Sequence, residues 1–196
     1  MARETLAKVM PLIFKSEGGF VDHKHDPGGA TNFGITIGTL SHWFGRPATK
    51  DEVRAITKDQ ATAIYRANYW NAIRGDDLPA GLDYAVFDFA INSGPSRAAK
   101  YLQDLLDVKI DGFIGPETIA ASKSRNIPLL INRLCDDRLD YVKRLPTWPT
   151  FGKGWSSRIA KVRSEALKLV GASAAPPPIP DAPAPPKPTT APPRGF

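Results

Sequence analysis

The chain has 196 residues, 26 basic against 20 acidic side chains, a formal net charge of +6 and one cysteine. That length suffices for one domain with a substantial core plus a tail. The lone Cys135 rules out an intramolecular disulfide, and no apolar run approaches the ~20 residues that span a bilayer. The positive balance marks either a soluble basic protein or one drawn to a polyanion. The basic residues are scattered, with no arginine-rich run, so a nucleic-acid partner is not expected.

Residues 3–16 predict a first helix, with Leu6, Val9, Met10, Ile13 and Phe14 on its apolar positions and Pro11 as a kink. Lys8, Pro11 and Lys15 break this stretch too often for a signal-peptide core, so synthesis in the cytoplasm is expected. Residues 18–36 are rich in Gly, Asp and Asn and predict a loop with a short hairpin pairing 20–22 with 33–35. A short helix over 36–44 follows. Thr49 with Glu52, and Thr57 with Gln60, have the spacing of capping boxes opening two further helices; the second carries Ala61, Ile64, Tyr65 and Tyr69. Pro79 is placed to open a helix through Leu82, Ala85, Val86, Phe89 and Ala90, whose apolarity on most faces predicts the centre of the core.

Further helices are expected at 96–106, 116–124, 127–144 and 155–169, with a loop over 107–115 and a turn over 146–154. Cys135 lies in a helical pattern and reads as a buried, inert thiol. His23 and His25 lack the partners or spacing of a metal site, and none is expected. Residues 172–196 hold ten of the 19 prolines and predict an extended, disordered tail, in which Pro183-Ala184-Pro185-Pro186 could face a proline-binding partner. There is no internal repeat. Short connections make the rest one mainly α unit of two lobes, 1–93 and 94–171. A cleft between the lobes would hold an extended polymer, with Glu17 on a wall and the central helix as floor.

The chemistry centres on Ser16-Glu17-Gly18-Gly19-Phe20, a carboxylate ending a packed helix beside two glycines. A helix C-terminus is a poor place for an anion, so the position suits function better than stability. Ile13, Phe14 and Phe20 offer the apolar surroundings that a general acid needs. Asp26 is either a second carboxylate for activating water or an ordinary turn residue before Pro27-Gly28, and Thr31 adds a hydroxyl. Asp88 and Asn92 share one face of the central helix, either bracing the loop after Glu17 or touching substrate. Tyr69, Trp70, Trp43 and Trp155 could stack on sugars or belong to the core.

Glu17-Gly18-Gly19-Phe20 followed by Asp26-Pro27-Gly28-Gly29-Ala30-Thr31-Asn32-Phe33-Gly34-Ile35-Thr36 resembles the signature of glycoside hydrolase family 108. Tyr69-Trp70, Phe87-Asp88-Phe89-Ala90-Ile91-Asn92-Ser93-Gly94 and Asp111-Gly112-Phe113-Ile114-Gly115-Pro116-Glu117-Thr118 extend the likeness, the last to the family's predicted peptidoglycan-binding part. The resemblance covers about residues 6–165. It implies a lysozyme-like N-acetylmuramidase that hydrolyses the β-1,4 bond between N-acetylmuramic acid and N-acetylglucosamine. Glu17 would be the general acid, with Asp26 and Thr31 positioning water and inverting the anomeric carbon. Asn32, Tyr69, Trp70, Asp88 and Asn92 would bind the glycan. Thr31 stands one residue nearer than in the phage-type lysozymes, so Asn32 is the alternative water-holding group. No cofactor is implied, and the protein is expected to be a monomer acting on the wall after release by a holin or a dedicated secretion system. A lytic transglycosylase, or a wall-binding protein without activity, are the rival readings.

Overall fold

The computed structural model describes residues 2–22 and 29–172, and among them the chain is mainly helical. Helix α5 (Leu82–Ser93) organises the rest: every residue from Leu82 to Ala90 is buried. A helix apolar on most of its faces must be covered on most sides. Helices α1 (Ala2–Glu17), α6 (Pro95–Leu106), α8 (Ile127–Lys143) and α9 (Trp148–Ala172) and a 3₁₀ turn (Gly75–Asp77) cover it. One continuous hydrophobic cluster runs from Leu6 to Ala166, so the N- and C-terminal parts share a core around α5.

Helix α5 starts at Leu82, three residues after Pro79, because Gly81 turns the chain with φ 85° just before it. A Cβ there would stand 2.3 Å from the Ala166 carbonyl oxygen, so only glycine lets α9 lie this close.

The hairpin also differs from its expected register. Strand β1 (Thr31–Asn32) pairs antiparallel with β2 (Ile35–Thr36), Thr31 opposite Thr36. Val21 bridges to Thr31 instead of to the 33–35 segment, through two 2.8 Å hydrogen bonds. Phe33 (φ 51°) and Gly34 (φ 75°) take the paired left-handed angles of a two-residue hairpin turn. Phe33 is held there by its ring, 5.2 Å from that of Phe14.

Both capping boxes form, at Thr49–Glu52 opening α3 (Lys50–Ala55) and Thr57–Gln60 opening α4 (Lys58–Tyr65). Thr36 caps α2 (Ile37–Phe44). Helix α4 runs into a π-helical turn, Arg66–Trp70, and α7 (Pro116–Lys123) follows the 107–115 loop.

Helix α9 begins at Trp148, so most of the expected turn over 146–154 is helical. Pro149 sits in the first turn, where its missing N–H costs nothing. Gly152 is helical because its bare backbone admits the Trp148 ring, which a Cβ would meet at 2.6 Å. Among the described residues, no helix is long and apolar enough to cross a membrane. The proline-rich tail lies outside the described residues.

Candidate active site

Glu17 is the last residue of α1. Gly18 (φ 82°) ends the helix in a left-handed turn, its N–H donating to the Phe14 carbonyl at 3.0 Å. The hairpin apex lies against Glu17: a Cβ on Gly34 would come within 3.0 Å of Glu17 Cγ and 2.3 Å of the Tyr65 hydroxyl. That hydroxyl donates to the Phe33 carbonyl at 3.0 Å and so ties the turn to the core. Among the described residues, nothing lies within 4 Å of a Cβ built at Gly18 or Gly19.

Glu17 is not alone at the helix end. Arg158, from α9, donates through Nη1 to Glu17 Oε1 at 2.7 Å. Its other edge forks onto Asp88, Nε to Oδ1 at 3.0 Å and Nη2 to Oδ1 at 2.8 Å. Arg138, from α8, holds the far oxygen, Nη2 to Asp88 Oδ2 at 2.8 Å, and also donates to Asn92 Oδ1. The result is a line of alternating charge, Glu17–Arg158–Asp88–Arg138. Exposure is lowest at Asp88: along the line the side chains are 20%, 15%, 1% and 4% exposed. Burial alone would push Asp88 up, but the two guanidiniums outweigh it and hold Asp88 below the ordinary carboxylate range.

This network fixes the carboxyl of Glu17 by one oxygen. Glu17 Oε2 has no hydrogen-bond partner among the described residues. Asp88 has no such freedom. Buried and bonded on both oxygens, it cannot meet a glycan directly; it braces Glu17 through Arg158.

The remaining expected site residues fall into three groups. Tyr69 is half-buried at 5.8 Å from the Tyr65 ring, and its hydroxyl is raised by burial first and by the charge of Glu17 second. Asn92 is exposed, with its oxygen on Arg138, and Thr31 is half-buried on β1. Of these three, Tyr69 feels the charge of Glu17, and Asn92 joins the same charge network through Arg138. Trp70 and Asn32 are structural. Trp70 is 0% exposed, its indole N–H on Asp76 at 3.0 Å, so it offers no face to a sugar. The Asn32 amide donates to the Val53 and Arg54 carbonyls at 3.2 and 3.1 Å, anchoring the hairpin to the end of α3. Asp26, with His23 and His25, lies outside the described residues.

Farther off, the 107–115 loop is organised by buried Gln103, which donates to Asp111 Oδ1 and the Phe113 carbonyl and accepts from the Gly112 N–H. Phe113 is left 77% exposed at its tip. Cys135 is buried, which pushes its thiol up to about 11 and keeps it unreactive. Among the described residues no cluster of three His, Cys, Asp or Glu side chains could hold a metal.

Helices packed around one central helix, with a glutamate at a helix end beside a small hairpin, make a mainly α, lysozyme-like fold. Comparison with known proteins agrees. The family model "Glycosyl hydrolase 108" matches residues 10–94. Among solved structures, that of Brucella abortus SagA is 56% identical with a TM-score of 0.78, the match covering 86% of this chain and 97% of that one. No curated protein matches. The chain belongs to glycosyl hydrolase family 108 and is a glycoside hydrolase. The family model ends at the junction of α5 and α6, yet Arg138 and Arg158 come from beyond it.

Proposed function

We propose that this glycoside hydrolase cuts peptidoglycan at the β-1,4 bond between N-acetylmuramic acid and N-acetylglucosamine, with Glu17 as the general acid. The observation that carries this reading is the half-anchored carboxyl: Oε1 on Arg158, Oε2 unengaged among the described residues. Protonated Glu17 gives its proton to the glycosidic oxygen as that oxygen leaves the anomeric carbon. The carboxylate that remains faces the Arg158 guanidinium at 2.7 Å, which stabilises it. Arg158 and Asp88 are positioning residues: they aim Glu17 without touching sugar.

Asp26 and Thr31 are proposed to hold the water that attacks the opposite face, inverting the anomer. Tyr69 and Asn92 are proposed glycan contacts, and the part after residue 94, with its exposed Phe113, is proposed to grip the strand. No cofactor enters this chemistry. The protein would work as a monomer on the wall, released by a holin or a dedicated secretion route.

Digestion of purified peptidoglycan tests the reading. Mass spectrometry should find new reducing ends at muramic acid, and proton NMR of fresh products the inverted anomer. Anhydromuramic ends would mean attack by the muramic 6-hydroxyl, hence a lytic transglycosylase. Binding without cleavage would mean a wall-binding protein.

A further inference from the structure

A groove of about 610 Å³ opens between α1 and α9 on the Arg158 side of the Glu17 pair. Its lining carries three cations, Lys15, Arg158 and Lys161, two aromatic surfaces, Tyr84 and Trp155, and a single acid, Glu165. Two of these charges are already matched. Arg158 is engaged by Glu17 and Asp88, and Glu165 accepts from Lys168 at 2.7 Å. Lys15 and Lys161 are exposed and have no ion-pair partner among the described residues. The groove therefore presents two unmatched ammonium groups beside the half-buried ring of Trp155, next to the carboxyl proposed to cleave the glycan.

We propose that this groove is a subsite for the carboxylates that muramic acid carries and N-acetylglucosamine lacks, either the lactyl group or the peptide stem built on it. The proposal rests on the muramidase reading and adds a basis for choosing the muramic residue. An ammonium group is a mobile point charge, suited to carboxylates whose position varies with the stem. Trp155 supplies a flat apolar wall against which a sugar or a stem methyl can lie. Exposed charge pairs are individually weak, so the effect depends on both lysines together and should fade with salt.

The test is calorimetric binding of three short probes to the full chain and to its Lys15→Ala/Lys161→Ala double variant: the muramyl disaccharide with its peptide, the same disaccharide bearing only the lactyl carboxylate, and chitobiose. None needs to be cleaved to report. The double variant should bind the peptide-bearing disaccharide roughly tenfold more weakly, two modest ion pairs' worth, with chitobiose unchanged. If the lactyl probe weakens equally, the lactyl group is the source; if only the peptide-bearing probe weakens, the stem is. Both support the subsite. Equal weakening of chitobiose, or no weakening of any probe, overturns it. Peptidoglycan cleavage by the same wild-type protein separates the two claims. Cleavage without carboxylate-dependent binding ends the subsite alone, and carboxylate-dependent binding without cleavage ends the muramidase reading alone.

Discussion

Helix α5 buries two carboxylates, and they live under opposite conditions. Asp88 meets two arginines, which override burial and keep it ionised. Asp83, at the start of the same helix, is 0% exposed and pairs with no cation among the described residues. Its Oδ1 accepts the Tyr84 N–H at 2.7 Å, and its Oδ2 has no hydrogen-bond partner among the described residues. Burial pushes it up to about 7, and its hydrogen bonds, chiefly with Thr5 and Tyr84, offset this only in part. Burial depth is the same; what differs is the charge brought from elsewhere in the chain. Of the two, Asp88 is the one tied, through Arg158, to Glu17.

Removing Asp88 should have the largest effect. Asp88→Ala leaves buried Arg138 without its counter-charge and Arg158 with Glu17 alone, and breaking a buried pair in this way costs about 3–5 kcal/mol. Urea unfolding reads it; a loss below about 1 kcal/mol would mean that the network is not a structural unit. Asp83 should show the opposite sign. Its folded-state value lies above the ordinary 3.8, so the stability it contributes is complete below about pH 4 and is lost as pH rises through about 7. At ~1.4 kcal/mol per unit the wild type should lose at most about 4 kcal/mol over that window. Asp83→Asn should be nearly flat across it, and parallel pH curves for the two proteins would break the contrast. Asp88, held low, should lose its contribution only as pH falls below the ordinary carboxylate range.

Arg158→Lys sharpens the comparison most finely. Lysine keeps the charge but cannot fork to Asp88 and Glu17 at once. The rate on peptidoglycan should fall about tenfold in kcat, with stability lowered by about 1–2 kcal/mol. A change in KM alone would instead place Arg158 in substrate binding.

Local features were legible in the sequence. The capping boxes at Thr49 and Thr57 close within four residues, and Leu82 to Ala90 read as a buried helix because most of its faces are apolar. Long-range partners were not. Asp88 and Asn92 were visible on one face, but Arg158 lies far along the chain from Glu17. A signal existed. Arg138 falls on the stripe of Ile131, Leu134, Cys135 and Val142, and Arg158 on that of Trp155, Ile159 and Val162. A cation on an apolar stripe must have a buried anion waiting for it. Composition misled at 146–154, where Pro149 and Gly152 start a helix instead of a turn. It also left the roles of Trp70 and Asn32 open, since core and sugar-stacking aromatics look alike in sequence and the Asn32 anchor is set by strand register.

The central claim is that Glu17 supplies the proton, while Arg158 and Asp88 hold its carboxyl in place and supply no proton themselves. Glu17→Gln tests it most directly, because glutamine keeps an oxygen for Arg158 and loses the transferable proton. Measured on purified peptidoglycan beside a thermal melt, the variant should stay folded within about 1 kcal/mol of wild type. Its kcat should fall by about 10²–10⁴ or more. A folded Glu17→Gln protein that cleaves peptidoglycan at the wild-type rate would contradict the account.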